Sequence, residues 1–278
     1  MSPRPDEVAV PARRAVDDAG PRPSRGIGNT PALVVPARLL SPRIVTFWAV
    51  LVVYALITVG VLYAGPLSPL HIDAALFNLD LRDRYPGLYP WLNTYVVLGQ
   101  RAPATVVALP WFAWRAWRDR TPRPLVLLGV ALLVLNLTVG AVKLIVGRIG
   151  PLSTDNVHKI FAGGDIFPSG HVANSVVLYG VIAMVAVQYR RVAIAAAVFI
   201  CVTVGLSTVF LDTHWFTDVV AGWCAGGLVL LSLPTIMPYV DRLLDWSLER
   251  LRRSTRVPTA EPLPERDDAP RRPVTIAD

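Results

Sequence analysis

Residues 44–65 read "IVTFWAVLVVYALITVGVLYAG" and contain no charged side chain. About 20 apolar residues in a helix cross the ~30 Å hydrocarbon layer of a bilayer, so this stretch predicts a membrane span. Composition points the same way, with 53% of the 278 residues hydrophobic. Further apolar stretches follow at about 92–114, 124–146, 169–188, 192–210 and 215–237. The fold class expected is an all-α integral membrane protein, a six-transmembrane-helix bundle. Polar residues interrupt the spans: Gln100 and Arg101 in the second, Asn136 and Lys143 in the third. In the sixth, Ala221, Gly222, Ala225 and Gly226 allow close helix packing.

The net charge of +7 raises the question of a nucleic-acid partner. The arginines, however, sit in tails and short loops, where they act as topology signals. Arg115, Arg118, Arg120 and Arg123 lie between the second and third spans, and Arg190 and Arg191 between the fourth and fifth. Arg250, Arg252 and Arg253 follow the sixth. By the positive-inside rule these segments and both termini are cytoplasmic, in the cell membrane. Segments 66–91, 147–168 and 211–214 then face the extracytoplasmic side. In the first of them, residues 72–79 form a short amphipathic stretch, readable as a lip over a lipid cleft or as a plain connector. The expected organisation is a membrane domain over 43–240 between disordered tails, 1–42 and 254–278, each poor in apolar surface. The N-terminal segment lacks the pattern of a cleaved signal peptide. Cys201 and Cys224 fall inside spans with no CxxC spacing, which argues against a zinc site or a disulfide framework.

Ionisable groups at span ends are costly and mark function by default. Three clusters meet on the outer face: "KLIVGRIGP" (143–151), "FPSGH" (167–171) and "STVFLDTHWFTD" (207–218). His214 and Asp218 are spaced i, i+4 at a helix start, on one face. Such a carboxylate fixes one imidazole nitrogen and leaves the other free as a nucleophile. Taken alone, the pair reads equally as a dipole-favoured carboxylate beside an interfacial histidine. Pro168 and Ser169 are helix-start residues, Gly170 lets backbone amides approach an anion, and His171 stands beside them. Lys143 and Arg148 add positive charge. Together the clusters form an inventory for phosphoryl transfer without metal or cofactor. The cations clamp the oxyanions, one imidazole attacks, and the other protonates the leaving oxygen.

The motifs resemble those of the type-2 phosphatidic acid phosphatase superfamily, Lys-x6-Arg-Pro, Pro-Ser-Gly-His and Ser-Arg-x5-His-x3-Asp, over about residues 90–235. The resemblance implies His214 as the phosphorylated nucleophile, His171 as the general acid and Asp218 as the orienting partner. It implies Lys143, Ser169 and Gly170 as phosphate ligands, with the active site at the extracytoplasmic ends of the third, fourth and sixth spans. The implied substrate is a lipid phosphate or diphosphate, either phosphatidic-acid-like or polyprenyl. Two family arginines are replaced, by Gly150 and by Thr208. Arg148 is expected to stand in for one as a phosphate ligand, and Arg101 or Lys159 for the other if the fold brings either close. The expected function is an integral-membrane lipid phosphatase working through a phosphohistidine, with phosphotransfer to another lipid as a variant. The alternative is a catalytically weak or inactive lipid-phosphate-binding protein.

Overall fold

The computed structural model describes residues 41–63, 65–66 and 68–255. The expected tails therefore lie outside the described residues, apart from 41–42 and 254–255, which belong to helix ends or their caps. Among the described residues there are helices and no strand. In chain order they are α1 (Pro42–Leu62), α2 (Leu70–Phe77), α3 (Leu81–Arg84), α4 (Tyr89–Tyr95), α5 (Arg101–Arg118), α6 (Arg123–Val146), α7 (Gly170–Val185), α8 (Arg190–Phe210) and α9 (Phe216–Thr255).

Four of these, α1, α6, α8 and α9, are long and apolar enough to cross a bilayer. This is a multi-pass membrane protein. On α1 only Val61 is buried, while Val45, Trp48, Val52, Leu56 and Val59 stand exposed. An outward apolar row of that kind suits hydrocarbon, where it meets no water. α1 packs along α9.

The expected second span is not one helix. α4 gives way to a 3-10 turn at Val96–Gly99, Gln100 is extended (φ −69°, ψ 134°), and α5 begins at Arg101. The break lies against α7. A Cβ on Gly99 would sit 2.9 Å from the His171 carbonyl oxygen and 2.8 Å from Val204, so only glycine permits the approach. Carbonyls freed by the break find donors: Asn174 Nδ2 donates to Gly99 O at 3.1 Å, and the Tyr179 hydroxyl to Leu98 O at 3.1 Å. Buried backbone acceptors left without such donors would cost free energy.

α7 has 16 residues, short of the ~20 that a full crossing takes. It is the central helix, packed on α6, α8 and α9, with Val172, Ala173, Val177, Leu178 and Val181 fully buried. The core continues onto α6 through Leu128, Ala131, Leu135 and Val139, at helical spacing. α9 meets α7 through the small residues noted in the sequence. A Cβ on Gly222 would lie 2.8 Å from Ser169 O, and one on Gly226 would lie 2.7 Å from Val176 Cβ.

α9 runs for 40 residues through Pro234 and Pro238, well past the expected end of the sixth span near 237. Each proline forfeits one backbone donor, but residues 239–250 are rich in helix formers. The Arg123–Asp241 ion pair, 2.7 Å, also holds this extension against the start of α6.

Candidate active site

The site is assembled where α6 ends and α7 and α9 begin. α6 stops at Gly147, whose φ of +53° is a left-handed value that glycine adopts without strain. The following loop folds back on the helix end. The amide of Phe161 donates to Val146 O (2.8 Å), that of Ala162 to Gly147 O (3.0 Å) and that of Ile149 to Lys159 O (3.1 Å). Gly164 passes directly over the Arg148 backbone, where a Cβ would come within 2.0 Å of the carbonyl oxygen. The chain then reaches Ser169, which caps α7 by accepting from the Val172 amide, while its own amide donates to Asp218 O at 2.9 Å. The start of α7 is thereby tied to the start of α9.

His171 and His214 face each other across this junction, with ring centroids 5.8 Å apart and planes at 71°. They line a cavity of about 600 Å³ together with Lys143, Asp165, Gly170 and Thr213, and on the far side Gln100, Arg101 and Asn136. Lys143 Nζ donates to the Asp165 backbone carbonyl. His214 is buried, and its Nδ1 has no hydrogen-bond partner among the described residues. Asp218 Oδ2 lies 3.8 Å from it, beyond hydrogen-bond length.

Asp218 is fully buried and is itself held. Its Oδ1 accepts from Arg148 Nη1 at 2.5 Å and its Oδ2 from the Trp215 amide at 3.0 Å. Arg148 is fully buried too, and both terminal nitrogens of its fork are engaged, while Nε has no hydrogen-bond partner among the described residues. Nη1 also donates to Thr217 Oγ1 (2.8 Å), while Nη2 donates to Asp73 Oδ2 (2.8 Å) and Val157 O (3.0 Å). Asp73, from α2, accepts in addition from the Thr217 amide (2.8 Å) and hydroxyl (2.6 Å). Burial pushes the Asp73 carboxyl above its ordinary range, while the Arg148 charge and the Thr217 bonds pull the other way. Arg148 thus shares its single charge between two buried carboxylates, and the hydrogen bonds from Thr217 and the Trp215 amide supply the rest of what makes buried charge tolerable.

Of the residues expected from sequence, the structure gathers Lys143, Gly170, His171 and His214 around the cavity. It places Asp218 and Ser169 directly behind them, both buried and neither lining the cavity. Arg148 departs from expectation. Instead of lining the cavity, where a phosphate ligand was expected, it is enclosed between Asp73 and Asp218. Thr208, at a replaced arginine position, is buried and accepts through its carbonyl from the Thr213 and His214 amides. At Gly150 a Cβ would point to Thr213 O (3.2 Å) and Ile166 (3.4 Å), both on the cavity wall. Lys159 is exposed and off the cavity, whereas Arg101 lines it. Asp73 and Thr217 were not foreseen. In sequence Asp73 reads as a first-turn carboxylate of an amphipathic helix, and nothing local announces partners on α6 and α9. Segment 72–79, half lip and half connector in the sequence, is mostly within α2, which packs through Asp73 and Leu70 on the back of the site.

The ordered motif residues and their convergence invite comparison with known proteins. Residues 124–242 match the PAP2 superfamily. The matched segment opens at the second residue of α6 and closes within α9, so it holds every motif residue, His171 and His214 included, but neither Asp73 nor Arg101. The fold is shared with the crystal structure of the first transmembrane PAP2 type phosphatidylglycerolphosphate phosphatase from Bacillus subtilis. That comparison has a TM-score of 0.54 and 20% identity, covering 70% of this chain and 96% of that one. No curated protein matches the chain in sequence.

Proposed function

We propose that this protein is an integral-membrane phosphatase that removes phosphate from a lipid phosphate or diphosphate at the extracytoplasmic face. The observation carrying the reading is the pair of imidazoles 5.8 Å apart on one cavity wall, with Lys143 beside them and a carboxylate behind His214. Asp218 on the Nδ1 side leaves Nε2 of His214 as the nucleophile. The His214 nitrogen bonds to phosphorus as the bond from phosphorus to the lipid oxygen breaks, and His171 delivers its proton to that oxygen. Water then attacks the phosphohistidine, giving its proton back to His171, and inorganic phosphate leaves. Lys143 and the amides at the start of α7, where Ser169 and Gly170 lie, offset charge on the phosphoryl oxygens. Arg148 acts behind them, holding Asp218.

The replaced arginines favour a second reading, a lipid-phosphate-binding protein with little or no turnover. One assay separates the two: phosphate release by purified protein from a panel of lipid phosphates and diphosphates, with His214→Ala alongside. Release by the wild type that disappears in His214→Ala supports the phosphatase. Equal release by both removes it. Binding without release in the wild type leaves the second reading.

A further inference from the structure

We propose that Arg101, held by Asn136, is a substrate-phosphate clamp in this cavity, the guanidinium partner of Lys143. The proposal rests on the reading of the cavity as a phosphate site and names a ligand for it that lies outside the matched segment 124–242.

Charge around the cavity leads to this assignment. A phosphoryl dianion needs fixed cations, and the basic side chains lining the cavity besides the histidines are Lys143 and Arg101. Arg148 is spent on Asp73 and Asp218. Lys143 shares its wall with the oppositely charged Asp165, and its Nζ is already engaged by the Asp165 backbone carbonyl, so a dianion needs a second cation, and Arg101 lines the same cavity.

The placement of Arg101 suits the role. It is the first residue of α5, directly after the break at Gly99–Gln100 that brings the chain against the His171 carbonyl. α5 starts there without a side-chain cap on its first-turn amides, so a bound anion would find additional donors. Arg101 Nη1 donates to Asn136 Oδ1, and no other hydrogen bond engages its side chain among the described residues. One edge of the fork is thus fixed and the remaining donors are free for oxygens, the geometry in which arginine binds phosphate bidentately. Asn136, Gly140 and Lys143 lie on one face of α6 at i, i+4 and i+7, so the two cations are anchored about 10 Å apart along that helix. Between them Gly140 offers no side chain, and a Cβ there would meet nothing within 4 Å. An arginine and an asparagine on apolar helices of a membrane protein are costly unless they serve a site.

The test measures anion binding and turnover separately. Orthovanadate binding to the purified full-length protein is titrated for wild type, Arg101→Ala, Arg101→Lys, Asn136→Leu and the double variant Arg101→Ala/Gly150→Arg. Melting temperatures are recorded for each, and phosphate release from lipid phosphates is followed in parallel. The expected result is an affinity loss of about 10- to 100-fold in Arg101→Ala. Arg101→Lys and Asn136→Leu should lose less. Binding should return in the double variant, because a side chain at position 150 starts at the cavity wall. If Arg101→Ala fails to fold, Arg101→Lys carries the test, since it keeps the charge and removes the fork. Wild-type affinity in either folded variant, or no orthovanadate binding by the wild type, overturns the proposal. Arg101-dependent binding in a protein that releases no phosphate supports the clamp while the phosphatase reading fails. Normal hydrolysis and normal binding by Arg101→Ala does the reverse.

Discussion

Asp218 accepts hydrogen bonds from Arg148 and from the Trp215 amide, so its carboxylate is fixed independently of His214. On the proposed mechanism, Asp73, which does not line the cavity, acts as a positioning residue through Arg148. Asp73→Asn keeps an acceptor for the Thr217 amide and removes one of the two carboxylates balancing the guanidinium. Arg148 and Asp218 should shift by a fraction of an ångström, and kcat on a lipid phosphate should fall by up to about 100-fold with KM unmoved. A parallel rise in KM would mean that Asp73 acts on substrate binding instead. Removing Arg148 is harsher, since Arg148→Met strands two buried carboxylates. Loss of one partner from such a cluster costs about 3–5 kcal/mol, visible as a lower melting temperature in detergent. For the acid role of His171, the leaving group is the probe. His171→Ala should lose about 10²–10⁴-fold on a lipid phosphate, and much less on an aryl phosphate whose leaving oxygen needs no proton. Equal losses on both would exclude His171 as the acid. The histidines and Asp218 were legible because short local spacings carry them. The Asp73–Arg148 pair was not, because its partners lie on helices far apart in sequence and Arg148 sits among residues that read as phosphate ligands.

At the level of elements, the site depends on how closely α9 approaches α7. Gly222 touches the Ser169 carbonyl, and the Ser169 amide donates to Asp218 O, so packing and catalytic geometry share the same contact. Gly222→Ala should therefore destabilise by about 1–3 kcal/mol and lower activity, because the obstructing atom is backbone and cannot swing away. Gly227 is the control: a Cβ there meets nothing within 4 Å, and alanine is the better helix former by about 1 kcal/mol. Gly227→Ala should leave melting temperature and turnover at or above wild type, and equal losses in both variants would refute the packing account. The small-residue pattern of α9 was readable from sequence because it is local. The break between α4 and α5 was not. Val96, Val97 and Leu98 read as span interior, and it is the contact of Gly99 with α7 that favours the interruption. The sixth span, expected to end near 237, instead continues through Pro234 and Pro238 as α9.

For the whole molecule, the two ends of the bundle differ in chemistry. The histidines, Lys143 and the 147–169 loop gather at the start of α7, whereas Arg115 and Arg123 lie by Met184 and Val185 at its other end. Sixteen residues of helix separate those ends by about 24 Å, most of a hydrocarbon layer. On the proposed orientation, exclusion of loop arginines from the translocated side assigns the arginine-rich end to the cytoplasm. That orientation would open the cavity on the outer side and let the proposed lipid phosphate enter laterally with its chains still in the bilayer. A thiol reporter can check this. Asp155 is exposed in the loop beside the cavity, while the native Cys201 is buried and Cys224 half-buried. In intact cells, Asp155→Cys should react with a membrane-impermeant thiol reagent, and a cysteine at the exposed Arg120 should react only after the membrane is permeabilised. Reaction of Arg120→Cys but not Asp155→Cys in intact cells would reverse the orientation. The same chemistry would then face the cytoplasm, and the substrate would have to be a lipid phosphate of the inner leaflet.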